Sequence, residues 1–142
     1  MATLKISDLS VGDWVEFHHT QGIYIKPPLF DHANAQIVGT HRGAEVSLLV
    51  DGKREFMAIP LSAIHPIPIT PEILEANGIR RTYEDDNYAI FRGDGLWAVK
   101  YSDGDWELST PPVCRVDIKY VHQLQHALRL AGVDKEITMP KK

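Results

Sequence analysis

The sequence predicts an α+β fold, in which a small SH3-like antiparallel barrel is followed by a helix, a three- to four-stranded antiparallel sheet and a C-terminal helix. Short β-prone segments separated by turn residues fill the first half of the chain. Asp51 and Gly52 form a dipeptide typical of a tight hairpin turn. One segment near the end has apolar residues at helical spacing. Any other small antiparallel sheet is an open alternative to the barrel.

Residues 1–66 are expected to form the barrel-like subdomain. Its opening strand alternates, because Val15 and Phe17 fall on one face and Trp14 falls on the other. The Asp-Gly dipeptide then separates two further segments that read as a hairpin. Strands are therefore expected at residues 14–17, 23–25, 35–40, 45–50 and 53–59.

Residues 67–142 are expected to form an α+β subdomain packed against the first, or to continue one compact domain with it. Thr70 can cap a helix that begins at Pro71, and Asn77 with Gly78 is typical of its end. Turn residues then divide the β-prone sequence that follows. Strands are expected at residues 88–92, 96–101, from 106, at 113–116 and at 135–139.

The strongest helix signal in the sequence covers residues 118–131. Asp117 can cap it, and Val121, Leu124 and Leu128 recur on one face at helical spacing. This apolar stripe is expected to cover the second sheet, which leaves the opposite side of the helix for contact with a partner.

Composition and charge limit the classes of function. Hydrophobic residues make up 44% and charged residues 24% of the chain, which is typical of a globular protein with a real core. The net charge is −4, and the sequence shows no basic stripe of the kind that nucleic-acid-binding proteins usually carry. The chain has a single cysteine, and it has no apolar run of signal-peptide or membrane-helix length. We therefore predict a cytoplasmic protein without a membrane span.

Histidine spacing raises the question of a metal site. His122 and His126 are separated by one helical turn, as in zinc-binding helices, but Gln123 stands where a metalloprotease has its catalytic glutamate. His18 and His19 are adjacent in a predicted strand, so they point to opposite faces. The sequence therefore predicts no metal site, and a polar helix face is the preferred interpretation of the first pair.

The sequence contains no recognisable catalytic apparatus. Cys114 lies between Val113 and Arg115 in a strand-like segment, which is typical of a buried and unreactive thiol. No nucleophile, base and orienting group can be named together. We therefore predict no catalytic residue and no cofactor.

Aromatic residues concentrate between Tyr83 and Trp106. Trp97 and Tyr101 fall on the same face of a predicted strand, and such a face can stack nucleobases or bind a peptide. The preferred interpretation is that this face forms core beneath the C-terminal helix. The sequence alone does not decide between core and binding surface.

Three segments carry a family resemblance: Leu9–Val15, Pro66–Ile79 and Tyr120–His126. In this order they resemble small uncharacterised proteins encoded by gut anaerobic bacteria and their prophages. The resemblance implies a mobile-element origin and a cytoplasmic setting in a bacterial host. It implies no activity and no site residue.

The leading functional hypothesis is a non-enzymatic interaction module that binds a protein partner. One alternative is a nucleic-acid-associated protein that uses the small barrel, and another is an enzyme with an unrecognised site near Cys114 or the histidines. The partner surface is expected on the polar side of the last helix. Its candidate residues are Tyr120, Gln123, Gln125, His126 and Arg129.

Overall fold

The computed structural model describes residues 8–18, 32–41, 45–50, 54–93, 95–110, 113–133 and 135–140. The chain divides into two compact units, Met1–Ile67 and Pro68–Lys142. In the described residues, each unit contains one five-stranded antiparallel sheet. The predicted strand at 23–25 and the Asp51-Gly52 turn lie outside the described residues.

The first unit is a sheet whose last strand returns to pair with its first. Its strands are β1 (Trp14–His18), β2 (His32–His41), β3 (Glu45–Val50), β4 (Arg54–Pro60) and β5 (Ile64–Pro66). Their order in the sheet is β4-β3-β2-β1-β5. A 3-10 turn, Leu61–Ala63, connects β4 to β5, which lies at the opposite edge of the sheet and runs in the same direction.

Alternation along the strands builds the core of the first unit. Val15 and Phe17 of β1 are fully buried, whereas the alternate residues of the strand are only half-buried. The ring of Phe17 meets that of Phe56 edge-on, with centroids 5.7 Å apart. Asp13 is buried at the entry to β1, where its carboxylate accepts a hydrogen bond from the Ser10 amide at 2.7 Å.

The second unit is a five-stranded meander with one short helix before it and a longer one after it. Its elements are α1 (Pro71–Ala76), β6 (Arg80–Glu84), β7 (Tyr88–Gly93), β8 (Leu96–Tyr101), β9 (Trp106–Thr110), β10 (Val113–Ile118) and α2 (Val121–Leu130). The strand order follows the sequence, β10-β9-β8-β7-β6. Strands that are neighbours in the sheet are therefore also neighbours in the sequence, so their ends meet at the two ends of the sheet.

Side-chain caps fix both helices of the second unit. Thr70 Oγ1 accepts a hydrogen bond from the Ile73 amide at 3.2 Å, as its N-cap position predicts. At the start of α2, Gln123 Oε1 accepts from the amides of Lys119 at 2.7 Å and Tyr120 at 3.1 Å. The N-cap of α2 is therefore Tyr120 and not Asp117, which belongs to β10.

The last described segment is bound to the end of α1 by one buried amide. Asn77 Nδ2 donates to the carbonyl oxygens of Ile73 at 2.7 Å and Thr138 at 2.8 Å, and Asn77 Oδ1 accepts from the Thr138 amide at 2.8 Å. Residues 135–140 are held by this side chain and do not form the strand predicted at 135–139.

The prediction of an α+β fold is wrong, because the protein is mostly β. The described residues form ten strands, and the two helices span only six and ten residues. The second sheet has five strands instead of three or four. Sequence reasoning missed β6 because all five of its residues are exposed, so its sequence shows no alternation. It missed β5 because that strand is three residues long and ends in Pro66.

Among the described residues, no helix has the length and apolar character that crossing a membrane requires.

Candidate binding face on the second sheet

The second sheet has one buried face and one exposed face. On the inner face Phe91, Trp106 and Leu108 are buried, and the ring centroids of Phe91 and Trp106 are 5.4 Å apart. Residues at the alternate positions of these strands and of β8 point to the other face. There Trp97 is 45% exposed and Tyr101 is 38% exposed. Strand alternation therefore divides the aromatic residues between a core and a surface.

The outward residues of β7 and β8 form three cross-strand pairs. Tyr88 lies opposite Tyr101, Ile90 lies opposite Val99, and Arg92 lies opposite Trp97. Such pairs are neighbours on a sheet face and stabilise one another. We call this surface the outer aromatic face, and it consists of Tyr88, Ile90, Arg92, Trp97, Val99 and Tyr101.

Arg92 stacks on the indole at one end of this face. Its guanidinium carbon lies 3.5 Å from the centroid of the Trp97 ring. A cation over the face of a tryptophan is attracted by the ring quadrupole. This contact orients Trp97 and leaves the Arg92 charge at the surface, where Arg92 is exposed.

A hollow of about 340 Å³ lies between the outer aromatic face and the two strands beyond it. Ile90 and Val99 are half-buried in it, and Trp97 and Tyr101 rise beside them. A second hollow of about 310 Å³ continues over Tyr83 and Tyr88 toward β6. These volumes are at the small end of the range for ligand pockets, so the surface accommodates a few side chains at a time.

Arg115 borders the larger hollow in an unusual backbone conformation. Its φ is 45°, in the left-handed region, and the register of β10 against β9 shifts between Val113 and Val116. The side chain is 83% exposed, and its Nε lies 3.8 Å from Glu107 Oε1. A bulge that aims a side chain at a concave surface is frequent beside functional sites, and a strained residue supports the same assignment.

Two acidic turns adjoin the Tyr88 and Tyr101 end of the face. They are linked by a hydrogen bond of 2.9 Å from the Ser102 amide to the Asn87 carbonyl oxygen. We call these exposed carboxylates the acidic rim; they belong to Asp85, Asp86, Asp103 and Asp105. Arg81 forms an ion pair with Glu84, and the ammonium of Lys100 lies over Trp106 of the inner face. The rim is therefore net negative, whereas Arg92 and Arg115 lie toward the opposite end.

Asp85 organises the first of these turns. Its carboxylate accepts hydrogen bonds from the amides of Tyr88 at 2.9 Å and Asn87 at 2.7 Å, and these bonds lower the pKa of Asp85. The Tyr83 hydroxyl also donates to Asp85, at 2.9 Å, which raises the pKa of Tyr83. The carboxylate therefore stays ionised and positions Tyr83 beside Tyr88, with their ring centroids 5.5 Å apart.

The residues proposed on the last helix are only partly available at the surface. Arg129 is exposed and His126 is half-buried, but Gln125 is buried. Tyr120 precedes α2 as its N-cap, and Gln123 caps the helix with its side-chain oxygen. The structure therefore does not bring these five side chains together on one open face. Gln125 in particular lies on the enclosed side of α2, because the helix is packed over more than its apolar stripe.

The described histidines contact one another and their neighbours in two separate places. His122 is buried, and its ring meets that of His126 edge-on with centroids 5.8 Å apart. In the first unit, His18 contacts Glu16 and lies 4.1 Å from His65 between ring centroids. No group of three potential metal ligands occurs within the described residues. Cys114 lies in β10, and its side chain is outside what the structure describes.

Sequence reasoning recognised that Trp97 and Tyr101 share a face, but it preferred to place that face in the core. The signal is ambiguous because β8 has apolar residues on both of its sides. The buried side carries Leu96 and Ala98, which are smaller than the exposed aromatic residues. The contribution of Arg115 had no local signal, because it depends on a bulge.

Comparison with known proteins leaves this geometry as the basis for function: no family model matches the chain, and neither a curated protein nor a solved structure is significantly similar to it.

Proposed function

We propose that the chain is a non-enzymatic interaction module of the cytoplasm, which binds a protein partner through its outer aromatic face. The observation that carries the proposal is the exposure of Trp97 and Tyr101 on the outer aromatic face, with the exposed ring of Tyr83 next to Tyr88 at its border. Tyrosine, tryptophan and arginine are the residues most enriched at the energetic centres of protein interfaces. This face combines all three.

The arrangement favours a protein partner over a nucleic acid. Phosphate contacts dominate the affinity of nucleic-acid binding, and they need cationic side chains along the surface. Here the acidic rim lies at one end of the aromatic residues, and Glu107 approaches Arg115 within the hollow. Stacking of bases on Trp97 or Tyr101 would bring phosphates close to these carboxylates.

The proposed contact surface is on the sheet and not on the last helix, where the sequence had predicted it. On α2, Gln123 is used for capping and Gln125 is buried, so the helix offers mainly His126 and Arg129. The sheet offers the exposed rings of Trp97 and Tyr101 beside the half-buried Ile90 and Val99. A contiguous exposed apolar patch with a polar border is typical of interaction sites.

The proposal is tested by comparing capture of partners by matched variants of the full chain. Tagged wild-type protein and the Trp97→Ala, Tyr101→Ala and Leu130→Ala variants are incubated with nuclease-treated extract of cells that encode the protein. Leu130 is the matched control, since it is an exposed apolar residue on α2. We expect one protein to be retained by wild type and Leu130→Ala and lost from both aromatic variants. Equal retention by all four proteins contradicts the proposal, as does a partner that is captured from untreated extract but not from nuclease-treated extract.

A further inference from the structure

We infer that the segment bound on the outer aromatic face is a proline-containing peptide in the polyproline II conformation, with basic residues at the end that meets the acidic rim. This inference rests on the proposed function and adds the chemistry of the partner. It is carried by the shape of the hollow, by the state of the sheet edges and by the distribution of charge.

The hollow has the form that a ridged, extended peptide requires. Trp97 and Tyr101 are four residues apart on β8, so their side chains rise about 13 Å from each other along the strand. Val99 lies between them and Ile90 lies beside Val99, which gives an apolar floor. One turn of polyproline II is about 9 Å long, so a little more than one turn fits between the two aromatic ridges.

Polar groups along the hollow match the backbone of such a peptide. Polyproline II has no internal hydrogen bonds, so its carbonyl oxygens need donors from the partner or from water. The Trp97 indole and the hydroxyl of Ser109 opposite it supply donors at one end of the hollow, and the Tyr101 hydroxyl supplies one at the other end. Aromatic-lined grooves of this kind recognise proline-rich segments because the peptide loses little conformational entropy on binding.

The edges of the sheet are poorly suited to bind a peptide as an added strand. The register of β6 against β7 shifts between Arg81 and Tyr83, and β6 carries Arg80, Arg81 and Glu84. The opposite edge, β10, has its own register shift next to Arg115. Bulges and charges on edge strands discourage pairing with another chain. Docking therefore takes place on the face of the sheet and not along its edge.

Charge sets the direction of the peptide. The acidic rim lies in the two linked turns next to the Tyr88 and Tyr101 end, whereas Arg92 and Arg115 lie toward the Trp97 end. A peptide with lysine or arginine at the first end has complementary charge there, and a polyphosphate chain does not. The basic end of the segment therefore lies over the two turns, and its prolines lie over Ile90 and Val99.

The test uses the full chain and a fluorescent synthetic peptide in which two lysines precede a run of prolines. Binding is followed by fluorescence anisotropy against three competitors: the same peptide with glutamates in place of the lysines, one with a glycine-serine run in place of the prolines, and oligothymidine. Wild-type protein and Leu130→Ala are expected to bind the first peptide with saturation. Trp97→Ala and Tyr101→Ala are expected to bind it at least about tenfold more weakly.

The charge argument has its own variant. The turn hydrogen bonds use the side chains of Asp85 and Asp103, so Asp86 and Asp105 can be changed to asparagine with both turns intact. We expect the Asp86→Asn and Asp105→Asn double variant to bind the lysine peptide several-fold more weakly and with less dependence on salt concentration.

The outcomes separate the two proposals. If the glycine-serine or glutamate peptide competes as well as the original, or if oligothymidine displaces it, the inference about the peptide is wrong. If no peptide binds at millimolar concentration while Trp97→Ala still loses the captured partner, the inference also fails but the proposed function stands. If Trp97→Ala keeps the captured partner, the proposed function itself fails.

Discussion

At the scale of single residues, the face of the sheet on which an aromatic side chain lies decides whether it stabilises the fold or is available to a partner. Trp106 and Trp97 belong to adjacent strands of one sheet. Trp106 points inward and is 4% exposed, whereas Trp97 points outward and stacks on Arg92. The two tryptophans are therefore expected to respond differently to truncation.

Truncation of Trp106 should destabilise the protein far more than truncation of Trp97. Trp106→Ala removes a buried ring from contact with Phe91, and such core truncations cost about 3–5 kcal/mol. Trp97→Ala removes an exposed ring and its contact with Arg92, at a cost of about 1 kcal/mol or less. Urea unfolding of both variants measures the difference, and equal losses would show that the outer face is also core.

Gly93 is a second residue with a strict requirement. A Cβ at this position would lie 2.9 Å from Ile79 Cα and closer still to the carbonyl oxygen of Gly78. Both are backbone atoms that cannot move aside cheaply, so we expect Gly93→Ala to cost at least about 2 kcal/mol. Gly39→Ala is the control, because its Cβ would meet only Ser47 at an ordinary distance of 3.8 Å. Thermal unfolding of the two variants should therefore differ clearly, and similar melting temperatures would refute the close approach.

At the scale of elements, capping and tethering explain structure that strand and helix patterns do not predict. Thr70, Pro71 and Asn77 predicted α1 correctly, because its start and stop signals are local. The tether from Asn77 to Thr138 joins residues 61 positions apart, so nothing in the local sequence indicates it. The segment that was predicted as a strand is instead bound by this side chain.

Removal of this tether should destabilise the second unit. Asn77→Ala leaves the amide and carbonyl of Thr138 without the hydrogen bonds that Asn77 supplies, and we expect a loss of about 2–3 kcal/mol. Thr138→Ala is a matched control, since Asn77 binds mainly the backbone of Thr138 and that backbone is retained. Amide hydrogen exchange should show faster exchange at residue 138 in Asn77→Ala only. Unchanged protection there would contradict the tether.

The strands β1 and β5 bring His65 against His18 and Glu16. Burial, followed by the charge of His18, lowers the pKa of His65 below its usual 6.5, although Glu16 opposes the shift. The unfolded chain then binds the His65 proton more tightly than the folded protein. Stability should be full above pH 6.5 and should fall as the pH drops through 6.5 toward the lowered pKa.

This pH dependence is measured by urea unfolding at a series of pH values. His65→Gln should flatten the loss of stability just below pH 6.5 and leave the loss at lower pH, where Asp85 is protonated. A wild-type curve that is flat through this window, or a variant curve of the same slope, would show that the contact does not affect folding.

At the scale of the whole molecule, the sequence predicts where turns and buried strands occur better than it predicts the balance of strand and helix. Alternation located β1 and β8, and the turn residues between the β-prone segments located β7. It missed the exposed strand β6, and the predicted fold class was therefore wrong. Only the three-dimensional pairing showed which aromatic residues are outside. The binding face follows from that pairing, together with the bulge at Arg115 and the two acidic turns.

The central claim is that the outer aromatic face contacts a protein partner, and site-specific crosslinking in the cell tests it most directly. A photoreactive benzophenone side chain replaces Tyr101 in one variant and Leu130 in a second variant, since both of these side chains are exposed in the wild type. We predict a discrete covalent adduct with one protein from position Tyr101, resistant to nuclease, and no such adduct from position Leu130. An adduct from Leu130 alone, or nucleic acid crosslinked at Tyr101, would contradict the account.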